Sequence, residues 1–259
     1  MKINNKNNVI AMGLATTLLA LSSTANAEFI NTKYAGYPSE GGYFVSHYEQ
    51  YNDQWAWVDT SGYTESHVNF TIAANNVVTG RGWETGQRNR KINFVINDYQ
   101  PWWNEQKIVF AVYGWTRQDP ASYNSTNDPH RNVVEYYVVE NNKDWNPSHQ
   151  GTDGKGAIHL KTATVDGAEY KYYYSLRENQ PHYYQNSESD FATFRQYWAI
   201  RQNSRNSGEV DMAKHFSNWE NPKAAQSANA YPYTNDWGYQ IFMVESYQVG
   251  GSVRLNAWE

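Results

Sequence analysis

The sequence predicts an all-β fold, an antiparallel sandwich or jelly roll with a single helix. Many short segments are rich in β-branched and aromatic residues, and turn residues such as Asn52-Asp53 and Ser61-Gly62 separate them. Only one segment, 209–219, places apolar residues at helical spacing. Many short strands with one helix are typical of antiparallel sandwiches and jelly rolls. No repeat, low-complexity tract or linker divides the chain, so we predict one domain over residues 28–259.

The predicted strands follow one another along the whole chain. They cover residues 43–48, 54–58, 66–70, 91–96, 107–115, 133–140, 158–162, 170–174, 192–201, 239–247 and 252–258. Between the third and fourth of these segments, Gly80 and Gly82 flank Arg81. We predict a turn there; the alternative is a bend or a close approach of another backbone, which glycine also permits.

Two polar connections are longer than a hairpin requires. Residues 118–132 contain Pro120 and Pro129, and we expect them to form a surface insertion. Residues 178–190 form a second polar loop that is rich in aromatic side chains.

Residues 1–27 have the three parts of an export signal. Lys2 and Lys6 give a basic start, residues 9–21 are apolar, and Ala25-Asn26-Ala27 is a small-x-small cleavage site. The apolar run is too short to span a bilayer comfortably, which leaves an uncleaved membrane anchor as the alternative. We therefore predict a secreted protein that begins near Glu28 and has no membrane association after cleavage.

The composition limits the classes of partner and the ways in which the fold can be stabilised. The chain of 259 residues has no cysteine, so its core and hydrogen bonds must stabilise an exported fold without disulfides. The formal charge is −5 with no basic cluster, which argues against nucleic acid as a partner. The 11 Trp and 22 Tyr accompany a mean hydropathy of only −0.83, so the rings do not come from a generally apolar sequence. They can stack on pyranose rings or fill an aromatic core, and the composition leaves both uses open.

Two glutamates interrupt apolar strand segments. Glu135 lies within 133–140 and Glu245 within 239–247, and each shares a strand face with the other odd-numbered positions of its segment. A carboxylate among apolar neighbours is costly unless it has partners or a task. Two such carboxylates suffice for glycoside hydrolysis, in which one attacks and the other transfers the proton. The alternative is that both are surface residues with their charge in water.

Other reaction centres have no signal in the sequence. The seven His are scattered without metal-ligand spacing, and no Gly-x-Ser-x-Gly elbow is present. The stretch Gly80 to Trp83 lacks the further glycines and the helix of a phosphate-binding loop. We therefore predict no metal and no cofactor.

Five motifs occur in a fixed order along the chain. They are VYGWTR at 112–117, VEYYVVE at 134–140, the stretch 177–181, TFRQYWAIRQ at 193–202, and Tyr239-Gln240 with Glu245-x-Tyr247; GRGW at 80–83 precedes them. The motifs resemble those of the family-11 β-1,4-xylanases, and the resemblance extends from about residue 43 to 258. It implies a β-jelly roll of two curved antiparallel sheets, a cleft along the concave face and one helix beneath. It also implies xylan or a xylo-oligosaccharide as the substrate, hydrolysed with retention of configuration.

The resemblance assigns roles to individual residues. It implies that Glu135 is the nucleophile and Glu245 the general acid/base, and that Asn76 lies beside the acid/base. A neutral amide at position 76 predicts a near-neutral or alkaline optimum, because an Asp there would share a proton with Glu245 and favour acid operation. The residues implied to line the cleft and bind substrate are Tyr48, Tyr113, Tyr137, Arg177, Pro181, Gln196 and Tyr239.

The sequence departs from the family pattern at three places. The family's thumb tip is Pro-Ser-Ile followed shortly by Gly, whereas residues 181–186 read PHYYQN; the 118–132 loop is longer; and Ser246 replaces a glycine. These departures bear on substrate length more than on the reaction. Two other functions stay open, a non-catalytic carbohydrate-binding jelly roll and a β-glucanase of similar fold, because cleft shape decides which sugar is accepted. We expect the protein to be a monomer.

Overall fold

The computed structural model describes residues 27–30, 34–38, 42–49, 56–59, 65–70, 76–102, 107–117, 133–143, 145–149, 156–183, 191–220, 236–247 and 249–259. One α-helix lies in these ranges, α1 at Met212–Trp219. The strands in the same ranges are β1 Ala27–Ile30, β2 Tyr34–Pro38, β3 Phe44–Glu49, β4 Ala56–Asp59, β5 Glu65–Phe70, β6 Asn76–Trp83, β7 Lys91–Pro101, β8 Ile108–Arg117, β9 Val133–Asn141, β10 Ile158–Val165, β11 Ala168–Gln180, β12 Ala192–Arg201, β13 Ser207–Asp211, β14 Asp236–Tyr247 and β15 Gly251–Trp258.

Within the described ranges the strands form two sheets. The smaller has the order β1-β4-β5-β15-β7-β13, and the larger has the order β10-β11-β12-β9-β8-β14-β6-β3-β2. Neighbouring strands pair antiparallel except β9 and β12, which run parallel. Two antiparallel sheets with one helix confirm the predicted jelly roll.

The main core lies between the two sheets and includes the helix. Phe94 of β7 stacks on Phe242 of β14 with ring centroids 4.5 Å apart. Phe216 and Trp219 of α1 pack against Tyr136 of β9 from below the larger sheet. A second apolar cluster lies on the other face of the larger sheet, where the cleft is. Each face of the larger sheet therefore carries an apolar cluster.

The alternation along β9 agrees with the prediction. Val134, Tyr136 and Val138 belong to the core between the sheets, whereas Val133, Tyr137 and Val139 belong to the cluster on the cleft face. Glu135 shares the cleft face with the latter, and Glu245 shares it with the odd-numbered positions of β14. The predicted faces of both strands are confirmed.

The predicted turn at Gly80 and Gly82 is wrong, because both residues lie inside strand β6. A Cβ at Gly80 would come within 2.4 Å of the Phe242 carbonyl oxygen, and one at Gly82 within 2.3 Å of the Gln240 carbonyl oxygen. The alternative interpretation therefore holds: the glycines allow the backbone of β14 to approach closely.

The predicted helix begins three residues too early. Residues 209–211 belong to β13, which pairs with β7, and α1 begins at Met212. Asp211 ends the strand and caps the helix, because its backbone is extended and its carboxylate accepts a hydrogen bond from the Ala213 N–H at 3.1 Å. The capping aspartate marks the boundary that the apolar spacing alone did not.

Some strands of the structure were not predicted, and some predicted segments lie outside the described residues. Strand β11 continues to Gln180, so the first residues of the predicted 178–190 loop are strand. Strands β1, β2, β6 and β13 were not among the predicted strands. The 118–132 loop, residues 184–190 and residues 1–26 lie outside the described residues. No helix in the described part of the chain is long and apolar enough to cross a membrane. The single domain over 28–259 stays a prediction.

Candidate active site

A cleft of about 800 Å³ lies on the exposed face of the larger sheet. We call it the cleft, and its floor is formed by the cleft-facing side chains of β3, β6, β8, β9, β12 and β14. Every residue that the sequence singled out lines it: Tyr48, Asn76, Tyr113, Glu135, Tyr137, Arg177, Pro181, Gln196, Tyr239 and Glu245.

Glu135 is buried and held by three neutral donors. The hydroxyls of Tyr113 and Tyr137 donate to its Oε1 at 2.8 and 2.9 Å, and Nε2 of Gln196 donates to its Oε2 at 2.7 Å. Burial raises the pKa of Glu135, whereas the charge of Arg177 and these hydrogen bonds lower it. The net effect is a raised pKa of Glu135, and among the described residues the groups hydrogen-bonded to its carboxyl are neutral.

The donors to Glu135 are themselves fixed in orientation. Oε1 of Gln196 accepts from Ser175 Oγ and from Trp198 Nε1, both at 3.0 Å, so the amide NH₂ group must point to Glu135. The Tyr113 hydroxyl accepts from Trp115 Nε1 at 2.8 Å, which leaves its proton for the carboxylate. Such prior orientation positions a nucleophile without reorganisation during the reaction.

Glu245 has a different environment. Its Oε1 accepts from Asn76 Nδ2 at 2.9 Å and from the Tyr247 hydroxyl at 2.5 Å, whereas its buried Oε2 has no hydrogen-bond partner in the described structure. Burial, and then the negative charge of Glu135, raise the pKa of Glu245 to about 7, against the hydrogen bonds from Tyr247 and Asn76. Glu245 can therefore hold a proton near neutrality and has a free oxygen to offer it.

The two carboxyls line one cleft although their strands place them far apart in register. Glu135 pairs with Trp115 across β8, and Glu245 pairs with Val109, six positions along the same strand. In a flat sheet that offset is about 20 Å along the strand. Both side chains nevertheless line one cleft, and the charge of Glu135 acts on Glu245. Such an offset within one cleft requires a sheet that twists rather than a flat one, as β-sheets do.

Comparison with known proteins identifies the family. The model of the glycosyl hydrolases family 11 matches residues 40–256. The chain is 34% identical to the ethylene-inducing xylanase of Penicillium digitatum over 94% of both chains, and 32% identical to endo-1,4-beta-xylanase 2 of Rhizopus oryzae over 90% of this chain and 89% of that protein. It is 35% identical to endo-1,4-beta-xylanase 3 of Pyricularia oryzae over 70% of this chain, a match that spans 62% of that protein's length.

The chain belongs to glycosyl hydrolase family 11. It is therefore a glycoside hydrolase, and the recognised resemblance is confirmed. Family membership, with both carboxyls in one cleft, argues against the non-catalytic interpretation.

The sequence analysis missed several residues of this family-11 site. Tyr247 donates to Glu245, Trp115 and Trp198 orient the donors to Glu135, and Trp145 packs edge-on against Tyr247 with ring centroids 4.8 Å apart. Strand periodicity could have found the first three, because each lies two positions from a site residue and therefore on the same face. Trp145 lies after the end of β9, so strand periodicity could not have predicted that it belongs to the site.

The remaining residues of the site differ in how far solvent reaches them. Tyr48 is partly exposed at the cleft wall, and Arg177 lies close enough to lower the pKa of both glutamates. Tyr239 is almost buried, with Phe44 and Tyr113 beside its ring at centroid distances of 5.9 and 5.8 Å. Among the described residues, no group of three or more His, Cys, Asp or Glu could hold a metal ion.

Proposed function

We propose that the chain is a secreted endo-1,4-β-xylanase that hydrolyses xylan with retention of configuration. The observation that supports this most is the contrast between two buried carboxyls in one cleft. Glu135 accepts three hydrogen bonds from oriented neutral donors, whereas Glu245 has a pKa of about 7 and an unbonded Oε2. Retaining glycosidases need one carboxylate and one carboxylic acid in this arrangement. The names of the curated relatives support xylan as the substrate.

In the first step Glu135 attacks the anomeric carbon of the bound xylosyl unit. A carbon–oxygen bond to Glu135 forms while the glycosidic carbon–oxygen bond breaks. Glu245 transfers its proton, through Oε2, to the departing glycosidic oxygen, which leaves as a hydroxyl. The amide of Gln196 and the hydroxyls of Tyr113 and Tyr137 hold the attacking carboxylate in place.

In the second step water releases the sugar. The charge of Glu135 is absent in the covalent intermediate, so one cause of the raised pKa of Glu245 is removed and Glu245 acts as the base. It takes a proton from water as the water oxygen attacks the anomeric carbon, and Glu135 leaves as a carboxylate. Two inversions at one carbon give net retention.

The proposed roles predict a bell-shaped pH profile whose maximum lies on the acid side of pH 7, between the pKa of Glu135 and the pKa of Glu245, which is about 7. Activity falls at low pH as Glu135 becomes protonated, and it falls at high pH as Glu245 loses its proton around a pKa of about 7. Asn76 donates to Glu245 as a neutral amide, which supports a near-neutral rather than an acid optimum. An optimum below about pH 4.5, near the ordinary pKa of Glu, would contradict this assignment.

The experiment that tests the function compares xylan with mixed-linkage β-glucan as substrates. Reducing-sugar release and the anomer first formed, followed by NMR, are measured for the wild type and Glu135→Gln. We expect β-anomeric products from xylan, little release from glucan, and no activity in the variant. Preferential release from glucan would make the protein a β-glucanase, binding without turnover would make it a carbohydrate-binding protein, and an α-anomeric first product would exclude retention.

Secretion, cleavage near Glu28 and a monomeric state belong to the same proposal. Residues 1–27 support export by their basic, apolar and small-residue parts. The N-terminal residue of the protein recovered from culture medium, together with its mass in solution, tests all three.

A further inference from the structure

The cleft has two chemically different ends, and β14 runs from one to the other. Tyr239 lies near one end of β14, and Glu245 and Tyr247 lie at the other, where Trp145 packs on Tyr247. In the proposed reaction Glu245 protonates the leaving oxygen, so the leaving sugar extends past Glu245 towards Trp145. The sugar attacked by Glu135 and the units that precede it extend the opposite way, towards Tyr239. We call this the glycone end.

An aromatic side chain from outside the sheet covers the glycone end. Tyr183, which follows β11 by three residues, lies edge-on against Tyr239 with ring centroids 5.0 Å apart and an interplanar angle of 87°. Strands β12, β9 and β8 separate β11 from β14 in the sheet, so the chain after β11 crosses the cleft to reach this contact. Tyr183 also lines the cleft.

The contact fits a notch in the floor of the cleft. Gly238 precedes Tyr239, and a Cβ on it would lie 2.8 and 2.9 Å from two atoms of the Tyr183 ring. It would lie 3.1 Å from Cβ of Trp115, so the notch is bounded by the floor on one side and by Tyr183 on the other. The absence of a side chain at position 238 is what allows the Tyr183 ring to lie this deep.

Tyr239 is less exposed than Tyr183, although Tyr239 is the residue that we expect to contact substrate. Tyr239, expected from the family resemblance to contact substrate, is only 7% exposed, whereas Tyr183 is 41% exposed. Phe44, Tyr113 and Tyr183 together surround the Tyr239 ring. A sugar that approached Tyr239 would therefore meet Tyr183 first.

We propose that Tyr183 shortens the glycone side of the cleft by occupying the place where a further sugar ring would lie against Tyr239. This inference rests on the proposed function and names the residue that sets how many units bind before the cleaved bond. The wild type should therefore cut a xylo-oligosaccharide with few units on the glycone side. Removing the Tyr183 ring should open one more position, floored by Tyr239.

The experiment measures which bond of reducing-end-labelled xylohexaose is cleaved, by mass spectrometry of the labelled products. Tyr183→Ala removes the ring, and Gly238→Ala displaces it from the notch without changing it. In both variants the cleavage ratio should shift by roughly 2- to 10-fold towards bonds with one more glycone unit, the scale of one aromatic contact. Tyr183→Phe keeps the ring and is the matched control, for which we expect the wild-type pattern.

The outcomes separate this inference from the proposed function. A wild-type pattern in Tyr183→Ala, or a shift towards fewer glycone units, overturns the role of Tyr183 while leaving the enzyme a xylanase. A wild type that does not cleave xylohexaose overturns the proposed function instead. Because the Tyr183 ring is partly exposed, Tyr183→Ala should fold, and its melting temperature checks this.

Discussion

Strand β9 carries two buried glutamates, and their surroundings differ in one decisive respect. Glu140 accepts from the Tyr170 hydroxyl at 2.7 Å and forms an ion pair with Arg205, so a cation is bonded to it directly. Glu135, five positions earlier, accepts from neutral hydroxyl and amide groups, the donors to it within the described residues. Both lie within one apolar strand, so burial alone does not distinguish a structural carboxylate from a reactive one.

The electrostatics of the two regions follow from this difference. Burial raises the pKa of Glu140, and Arg205 and Tyr170 oppose that rise, while Glu140 raises the pKa of Arg205 in return. In the cleft, burial raises the pKa of Glu135 and Glu245, and the opposing cation, Arg177, is shared between them. Removing a carboxylate that is paired directly leaves its cation uncompensated, whereas a carboxylate held by neutral donors has no such partner.

The largest effect that would test this contrast is on catalysis. Glu135→Gln should reduce kcat by roughly 10⁴-fold or more, and Glu245→Gln by roughly 10²- to 10⁴-fold, the range for a lost general acid. An aryl β-xyloside with a good leaving group needs no proton, so its first step should recover in Glu245→Gln but not in Glu135→Gln. Equal recovery in both variants would mean that the two roles are wrongly assigned.

The second effect is on stability and should appear at Glu140. Glu140→Gln leaves Arg205 without its anion, and because Arg205 is about one quarter exposed we expect a loss of about 2–3 kcal/mol in the free energy of unfolding. Activity per folded molecule should stay unchanged. Urea denaturation measures the loss, and the double variant Glu140→Gln with Arg205→Met should recover part of it. A large loss of kcat in folded Glu140→Gln would remove the distinction between the regions.

The third effect is a gain in stability in the cleft, opposite in sign to the loss expected for Glu140→Gln. The pKa of Glu245 is about 7 in the folded protein against an ordinary value of 4.5, so the folded state holds the proton more tightly than the unfolded state. That contribution is complete below about pH 4.5 and is lost as the pH rises through about 7. Glu245→Gln has no such proton, so at pH 8 it should be more stable than the wild type by about 1–3 kcal/mol and at pH 4.5 nearly equal.

Unfolding in urea at the two pH values measures this difference. Glu140→Gln is the matched control, because it should be less stable than the wild type at pH 8. If Glu245→Gln were destabilised at pH 8, Glu245 would be a structural carboxylate like Glu140.

The smallest effects are shifts of the pH profile. The Tyr247 hydroxyl lowers the pKa of Glu245, so Tyr247→Phe should raise that pKa and move the alkaline limb of kcat/KM upwards by about one pH unit. Asn76→Asp should make Glu245 and the new carboxyl share a proton and move the optimum towards acid. An unmoved profile in both variants would show that neither donor to Oε1 sets the proton affinity of Glu245.

The sequence by itself determined which side chains share a strand face. Alternation along 133–140 and 239–247 fixed the side chains that share a face with each glutamate, and the motif order gave the family and ten residues that line one cleft. These are properties of neighbours one or two positions apart, and a strand fixes them locally. The local pattern predicted the wrong structure at Gly80 and Gly82. Glycine is needed there because the backbone of β14, more than 150 residues away in sequence, packs closely against both residues.

The tertiary structure alone decided what each carboxyl can do. Three long-range results come from packing: the shared cleft of Glu135 and Glu245, the Asn76 amide that reaches Glu245 across 169 residues of sequence, and the Tyr183 ring beside Tyr239. A pKa depends on the charges and donors within a few ångströms in space. Local pattern could therefore find Glu135 and Glu245, but only packing brought both into one cleft and made Glu140 a partner of Arg205.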